Sequence, residues 1–169
     1  MWYVQPYLPA YPARQNDKLI KDLEKAVNGE HSAVVCYQKI AQKAPDSETK
    51  KRILEIRQDE IRHFNAFLTF YTSLTGRKPD ISITEPCPEQ YRNALEFAFK
   101  DEQETVDFYL DIADYVKDRA IREAFKRAAA DEQTKPCSLV FILLNKEMIR
   151  LDQYTLIGYI FKIADFYFD

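Results

Sequence analysis

One polar pattern occurs twice in this chain, at a spacing that few folds can use. Asp59-Glu60-Ile61-Arg62-His63 places a carboxylate and an imidazole three residues apart, so on a helix Glu60 and His63 project from the same face. Seventy-two positions later, Asp131-Glu132-Gln133-Thr134-Lys135 repeats the pattern with lysine where His63 stood. Each copy is preceded, 30 residues earlier, by a further glutamate, Glu30 or Glu102. Each of those is followed seven residues on by a tyrosine, Tyr37 or Tyr109. Two helix pairs that each deliver the same polar set predict an all-α four-helix bundle with a shared internal site.

The hydrophobic phase supports that reading. In the first helix Ile20, Leu23, Val27, Glu30, Val34, Tyr37, Ala41 and Ala44 follow one another in alternating steps of three and four, the seam of a left-handed bundle. The second seam runs Ile53, Ile56, Glu60, His63, Phe67, Phe70 and Leu74; the third runs Tyr91, Leu95, Ala98, Glu102, Thr105, Tyr109, Ile112 and Val116. Ile121, Phe125, Ala128, Glu132, Lys135, Leu139, Ile142 and Ile149 form the fourth. Carboxylates on helices usually face water. Here Glu30, Glu60, His63, Glu102, Glu132 and Lys135 all fall on core seams, and buried ionised groups require partners. A shared polar site therefore outweighs a solvated charge face. Helix-seam aromatics such as Phe67, Phe70 and Tyr91 read as core packing.

Punctuation sets the boundaries. Residues 1–15 interleave Tyr3, Tyr7 and Tyr11 with Pro6, Pro9 and Pro12, which predicts an extended arm lying on the bundle or on a partner subunit. Asn16 or Asp17 can cap the first helix, and residues 16–149 make up the bundle. Pro45-Asp46-Ser47, Gly76 and Lys117-Asp118 mark helix ends. Fourteen residues of helix separate Glu60 from Leu74, and another fourteen separate Pro88 from Glu102. At about 1.5 Å per residue each arm is roughly 21 Å long. If the third helix starts at the opposite end from where the second stops, the link must span roughly 42 Å, which about 14 extended residues can just cover. The segment 74–88, with Pro79, Pro86 and Pro88, has that length and character. It predicts a long crossover between helices two and three. Residues 150–169, rich in aromatic and apolar side chains, read as a short C-terminal helical segment covering the bundle or a dimer partner.

Composition narrows the function classes. A formal net charge of −3 gives no electrostatic case for nucleic-acid binding, and no apolar run reaches the roughly 18 residues of a membrane span. No basic region followed by an apolar run opens the chain, so no signal peptide is expected. Three cysteines, Cys36, Cys87 and Cys137, are odd in number and lack the Cys-x-x-Cys spacing. They read as lone small core residues in a reducing, cytoplasmic setting. His31 lies a quarter-turn off the seam and reads as surface or interface.

Over residues about 17–149 the doubled Glu, Tyr and Asp-Glu spacing resembles the rubrerythrin branch of the ferritin-like superfamily. That resemblance implies a ferritin-like bundle holding iron or manganese, one or two ions per chain, on carboxylates and histidine. Glu30 and Glu102 would be terminal ligands, Glu60 and Glu132 would bridge, and His63 would bind one ion. Tyr37 and Tyr109 resemble the tyrosines that hydrogen-bond to those glutamates. Asp59 and Asp131 resemble the carboxylates that orient the histidine of the opposite half. Lys135 departs from the pattern, because an ammonium cannot ligate a metal. It is expected to replace the second ion and to pair with Asp59 or a glutamate. Pro136, immediately after it, is expected to kink the fourth helix or swing Lys135 aside. The four-cysteine rubredoxin domain of full-length rubrerythrins has no counterpart. The implied function is a non-haem iron or manganese oxidoreductase acting on peroxide or oxygen, a homodimer supplied with electrons by a separate donor protein. A structural or interaction protein with a degenerate metal site, and iron storage, are the alternatives.

Overall fold

The computed structural model describes the backbone of residues 13–150 and the side chains of residues 16–143. Four helices follow in order: α1 (Ala13–Gln42), α2 (Ser47–Thr75), α3 (Tyr91–Tyr115) and α4 (Arg119–Arg150). Among the described residues there is no strand. The expected arm and C-terminal segment lie outside the described residues, except that residues 13–15, assigned to the arm, are already helical. The helix thus starts ahead of the expected Asn16 or Asp17 cap. A proline just ahead of a helix interrupts no helical hydrogen bond, so Pro12 is no barrier to this early start.

The other ends follow their local chemistry. Asp46 caps α2, accepting from the Thr49 N–H at 2.8 Å. Gly76 ends that helix at φ 71°, a left-handed conformation suited to glycine, and its N–H returns to the Thr72 carbonyl. Asp118 opens α4 by accepting from the Ile121 N–H at 3.0 Å. Pro136 lies inside α4, yet the helix is assigned without a break through it. Proline at this position leaves the Glu132 carbonyl without its helical hydrogen bond.

α1 packs along α2 and α3 along α4; the pairs meet through α1 against α3 and α2 against α4, and α2 and α3 do not pack on one another. The link between them, residues 76–90, runs along α1 in the same direction as that helix. The Ser82 N–H donates to Asn28 Oδ1 at 2.8 Å and the Thr84 N–H to Ser32 Oγ at 3.0 Å. Cys87 is joined to Cys36 by a disulfide, and Lys43 Nζ donates to the Glu89 carbonyl. A traverse from residue 28 to 43 of α1 covers about 22 Å, so this is the long crossover and not a hairpin. The disulfide corrects the reading of Cys36 and Cys87 as lone core residues. Cys36 is nevertheless buried in the core, whereas Cys137 is exposed and is not a core residue.

Most expected seam residues are buried; Val34, Ala44, Leu74, Tyr91 and Thr105 are only half-buried, and the side chain of Ile149 lies outside the described residues. Tyr71 is fully buried where Phe70 was expected, and Leu19 where Ile20 was. Two apolar clusters result. One gathers Leu23, Val27, Phe67, Tyr109, Ile112 and Phe125, with the Phe67 and Phe125 rings stacked at 4.4 Å. The other gathers Tyr37, Ile40, Ile53, Leu95, Leu139 and Ile142. The polar seam residues form the layer between them, shielded from water at both ends of the bundle.

Candidate metal centre

Glu30, Glu60, His63, Glu102, Glu132 and Lys135 are all buried, none more than 8 % exposed. The 3.6-residue period of α2 and α4 aims Glu60 with His63, and Glu132 with Lys135, at the bundle axis. Glu30 of α1 and Glu102 of α3 close the layer. Glu30, Glu60, His63 and Glu132 each present one ligand atom, and these atoms all lie within 4.8 Å of one another. His63 Nδ1 stands 2.9 Å from Glu132, 3.5 Å from Glu30 and 3.6 Å from Glu60. At 2.9 Å it is close enough for an ion pair, but it is misaligned for a hydrogen bond. His63 Nδ1, Glu60 Oε1 and Glu132 Oε1 are buried without hydrogen-bond partners. Buried orphan polar atoms are costly, and a cation held among these side chains would satisfy carboxylate oxygens that the protein itself leaves without a donor. The donor set of three carboxylates and one imidazole suits iron or manganese.

The opposite side of the layer is organised by Lys135. Its Nζ donates to Glu60 Oε2 at 2.6 Å and to Glu132 Oε2, and lies 3.3 Å from Glu102 Oε2. Glu102, expected as a terminal metal ligand, is therefore set apart from the four-residue cluster. Its other oxygen accepts from the Tyr37 hydroxyl. Tyr109 donates to Glu30 in the same way across the bundle. Asp131 lies 3.1 Å from His63 Nε2, which anchors that edge of the ring and leaves Nδ1 turned to the carboxylates. Asp59 does not mirror this. It pairs with Arg62 at 2.5 Å, and Lys135 turns instead to the glutamates. An arginine three residues away on the same helix captures Asp59 before the lysine can.

Proton affinities reflect the crowding. Burial pushes Glu30 up from 4.5 to about 8, although the neighbouring His63 opposes this. Burial and the charges of Glu60 and Glu132 drive Glu102 well above the usual carboxylate range. Burial alone would lower His63, but the surrounding carboxylates of Glu132, Glu30 and Glu60 carry it to about 12. Burial would raise Glu132, yet the adjacent Glu102 and His63, with the charge of Lys135, bring it down to about 2. Lys135 is raised despite its burial by the surrounding carboxylates. The site thus holds two internal cations among its carboxyl groups.

One group next to the layer was not singled out in the sequence. Burial, together with the neighbouring carboxyl group of Glu85 in the crossover, raises Asp101 to about 8. Its position one residue before Glu102 was a usable signal only once the crossover path was known.

A four-helix bundle with a long second-to-third crossover and a buried glutamate and histidine layer defines the ferritin-like class. Residues 21–134 match the family model of rubrerythrin, and the chain belongs to that family. It is 45 % identical over 135 residues to the uncharacterized protein YhjR of Bacillus subtilis (strain 168), a similarity covering 80 % of this chain and 93 % of YhjR. Two solved structures resemble it in fold. One is the hypothetical protein Pfu-1136390-001 from Pyrococcus furiosus, with TM-score 0.65, 21 % identity, and coverage of 75 % of this chain and 90 % of that one. The other is a two-domain protein from Anabaena variabilis with DJ-1/ThiJ/PfpI-like and ferritin-like domains, with TM-score 0.64 and 21 % identity. That match covers 78 % of this chain and 37 % of the longer protein.

Proposed function

We propose that this protein is a rubrerythrin-like non-haem iron or manganese oxidoreductase acting on peroxide or oxygen, with electrons supplied by a separate donor protein. The observation that carries the reading is the convergence of Glu30, Glu60, His63 and Glu132 within 4.8 Å, with three buried atoms lacking hydrogen bonds. These four residues would hold one ion. That ion would supply one-electron redox chemistry and a binding position for an oxygen atom. Lys135 would stand in for a second ion, its ammonium supplying positive charge to Glu60, Glu102 and Glu132.

The chain's own residues would do the rest. Asp131 orients His63, and Tyr109 and Tyr37 hold Glu30 and Glu102 in fixed rotamers. The apolar clusters on either side limit water to the polar layer. Lys135, which donates to Glu60 and Glu132, and His63, 2.9 Å from Glu132, are the proton carriers beside those two carboxylates. A second reading, a structural protein with a degenerate metal site, is favoured by one fact: His63 and Lys135 already supply two cations to the layer without any metal.

Metal analysis of the full chain purified without chelator separates the two. The proposal expects one iron or manganese ion per chain, none in Glu60→Ala or His63→Ala, and a second ion in Lys135→His. A parent chain that takes up neither iron nor manganese would leave the structural reading standing.

A further inference from the structure

A cavity of about 210 Å³ opens between α1 and α3 beneath the crossover, and it reaches the carboxylate layer. Its lining is unusually acidic. Glu85, Asp101 and Glu104 line it together with the layer glutamates, and Glu104 is exposed while Glu85 and Asp101 are half-buried. Glu85 of the crossover and Asp101 of α3 thus bring two carboxyl groups to one cavity wall from different parts of the chain. At the inner end stands Glu60, 1 % exposed, whose Oε1 has no hydrogen-bond partner.

The wall at Gly29 is a second, independent observation. This glycine sits inside α1, one residue before Glu30, and lines the cavity. A glycine inside a helix is destabilising relative to alanine. No close packing demands it here, because a Cβ at this position would meet nothing within 4 Å. What the missing side chain leaves is open space beside the ligands.

We infer that this cavity is the inlet through which a divalent cation reaches the buried layer, and that Glu85 and Asp101 form an outer cation-binding station on the way. The inference rests on the metal-centre reading above. Cations are favoured over anions or neutral molecules by the carboxylates that line the passage. The one cation on that lining, Lys25, is drawn over the Phe108 ring, 4.1 Å from its centroid. Carboxylates lining a low-dielectric passage concentrate cations and raise association rates by about 10- to 1000-fold.

The test is the rate of Mn²⁺ loading into the metal-free full chain, read from the loss of the free-ion electron paramagnetic resonance signal in rapidly frozen samples. The Glu85→Gln/Asp101→Asn double variant is expected to load about tenfold more slowly at low ionic strength, with the final stoichiometry unchanged. Gly29→Leu, which narrows the cavity without touching a ligand, should slow loading at every ionic strength. Lys25→Gln should accelerate it. Asp111→Asn, which removes a charge from the exposed face of α3, is the control and should leave the rate within twofold of the parent. Parent-like loading in both the double variant and Gly29→Leu overturns the inlet. Slow loading in Gly29→Leu alone keeps the passage but overturns the outer station. A parent chain that never loads removes the metal centre and the inlet with it.

Discussion

Glu30 shows how far a single residue's chemistry can be carried from its position. It is buried on α1, held by the Tyr109 hydroxyl, and its carboxyl is raised from 4.5 to about 8. The folded chain therefore keeps a proton that the unfolded chain releases near pH 4.5. Stability from this group is fully present below that pH and is lost as pH rises through about 8. Asp101, raised to about 8, acts in the same direction. Urea unfolding of the metal-free protein between pH 5 and 9 should show falling stability, and Glu30→Gln should flatten the decline. An unchanged slope in that variant would assign the effect elsewhere. Lys135 makes the complementary case. Lys135→Met removes the ammonium from Glu60 and Glu132, and breaking a buried charge pair costs about 3–5 kcal/mol. The metal-free variant should lose stability of that order in the same measurement, whereas equal stability would mean that the ammonium is dispensable. At this scale the polar layer was legible because spacing and seam phase both appear in the sequence. The partner of Asp59 was not, since the geometry of Arg62 against the more distant Lys135 decides it. The separation of Glu102 from the His63 cluster depends on how Lys135 turns, which no periodicity records.

Helix ends and the crossover show a similar division between local and distant causes. Asp46 and Gly76 were readable as helix ends because capping chemistry is local. The crossover was readable from length alone, by comparing the residues between the layer and the helix ends with the reach of an extended chain. The disulfide was missed because three scattered cysteines carry no pairing signal on their own. It follows only once the crossover is laid along α1, which brings residue 87 to residue 36. This bond closes a loop with a sequence separation of 51, and such cross-links contribute about 2–4 kcal/mol. Cys87→Ala should therefore lower the urea midpoint under non-reducing conditions and make stability insensitive to added reductant. A parent chain equally insensitive to reductant would show that the bond contributes little.

The described residues form two helical hairpins, α1 with α2 and α3 with α4, joined by the crossover and meeting across the polar layer. The four clustered ligands are divided between them: Glu30, Glu60 and His63 come from the first hairpin and Glu132 from the second. A bound ion would thus fasten one hairpin to the other, and it would bind the folded chain in preference to the unfolded one. At free metal 100 times the dissociation constant, that linkage adds about 2.7 kcal/mol. For a chain of this size each kcal/mol moves the melting temperature by roughly 2–4 °C, so Mn²⁺ should raise it by roughly 5–11 °C. Chelator should reverse the shift. Glu132→Gln weakens the second hairpin's contribution and should reduce the shift, while Glu104→Gln, at the rim of the cavity, should keep it in full. Because His63 and Glu30 both carry protons in the metal-free layer, binding must displace them. The shift should accordingly grow between pH 6 and 8. Differential scanning calorimetry across that range tests both dependences together. A melting temperature indifferent to Mn²⁺ at every pH would mean that the layer closes on its own two cations and that the hairpins are held by packing alone.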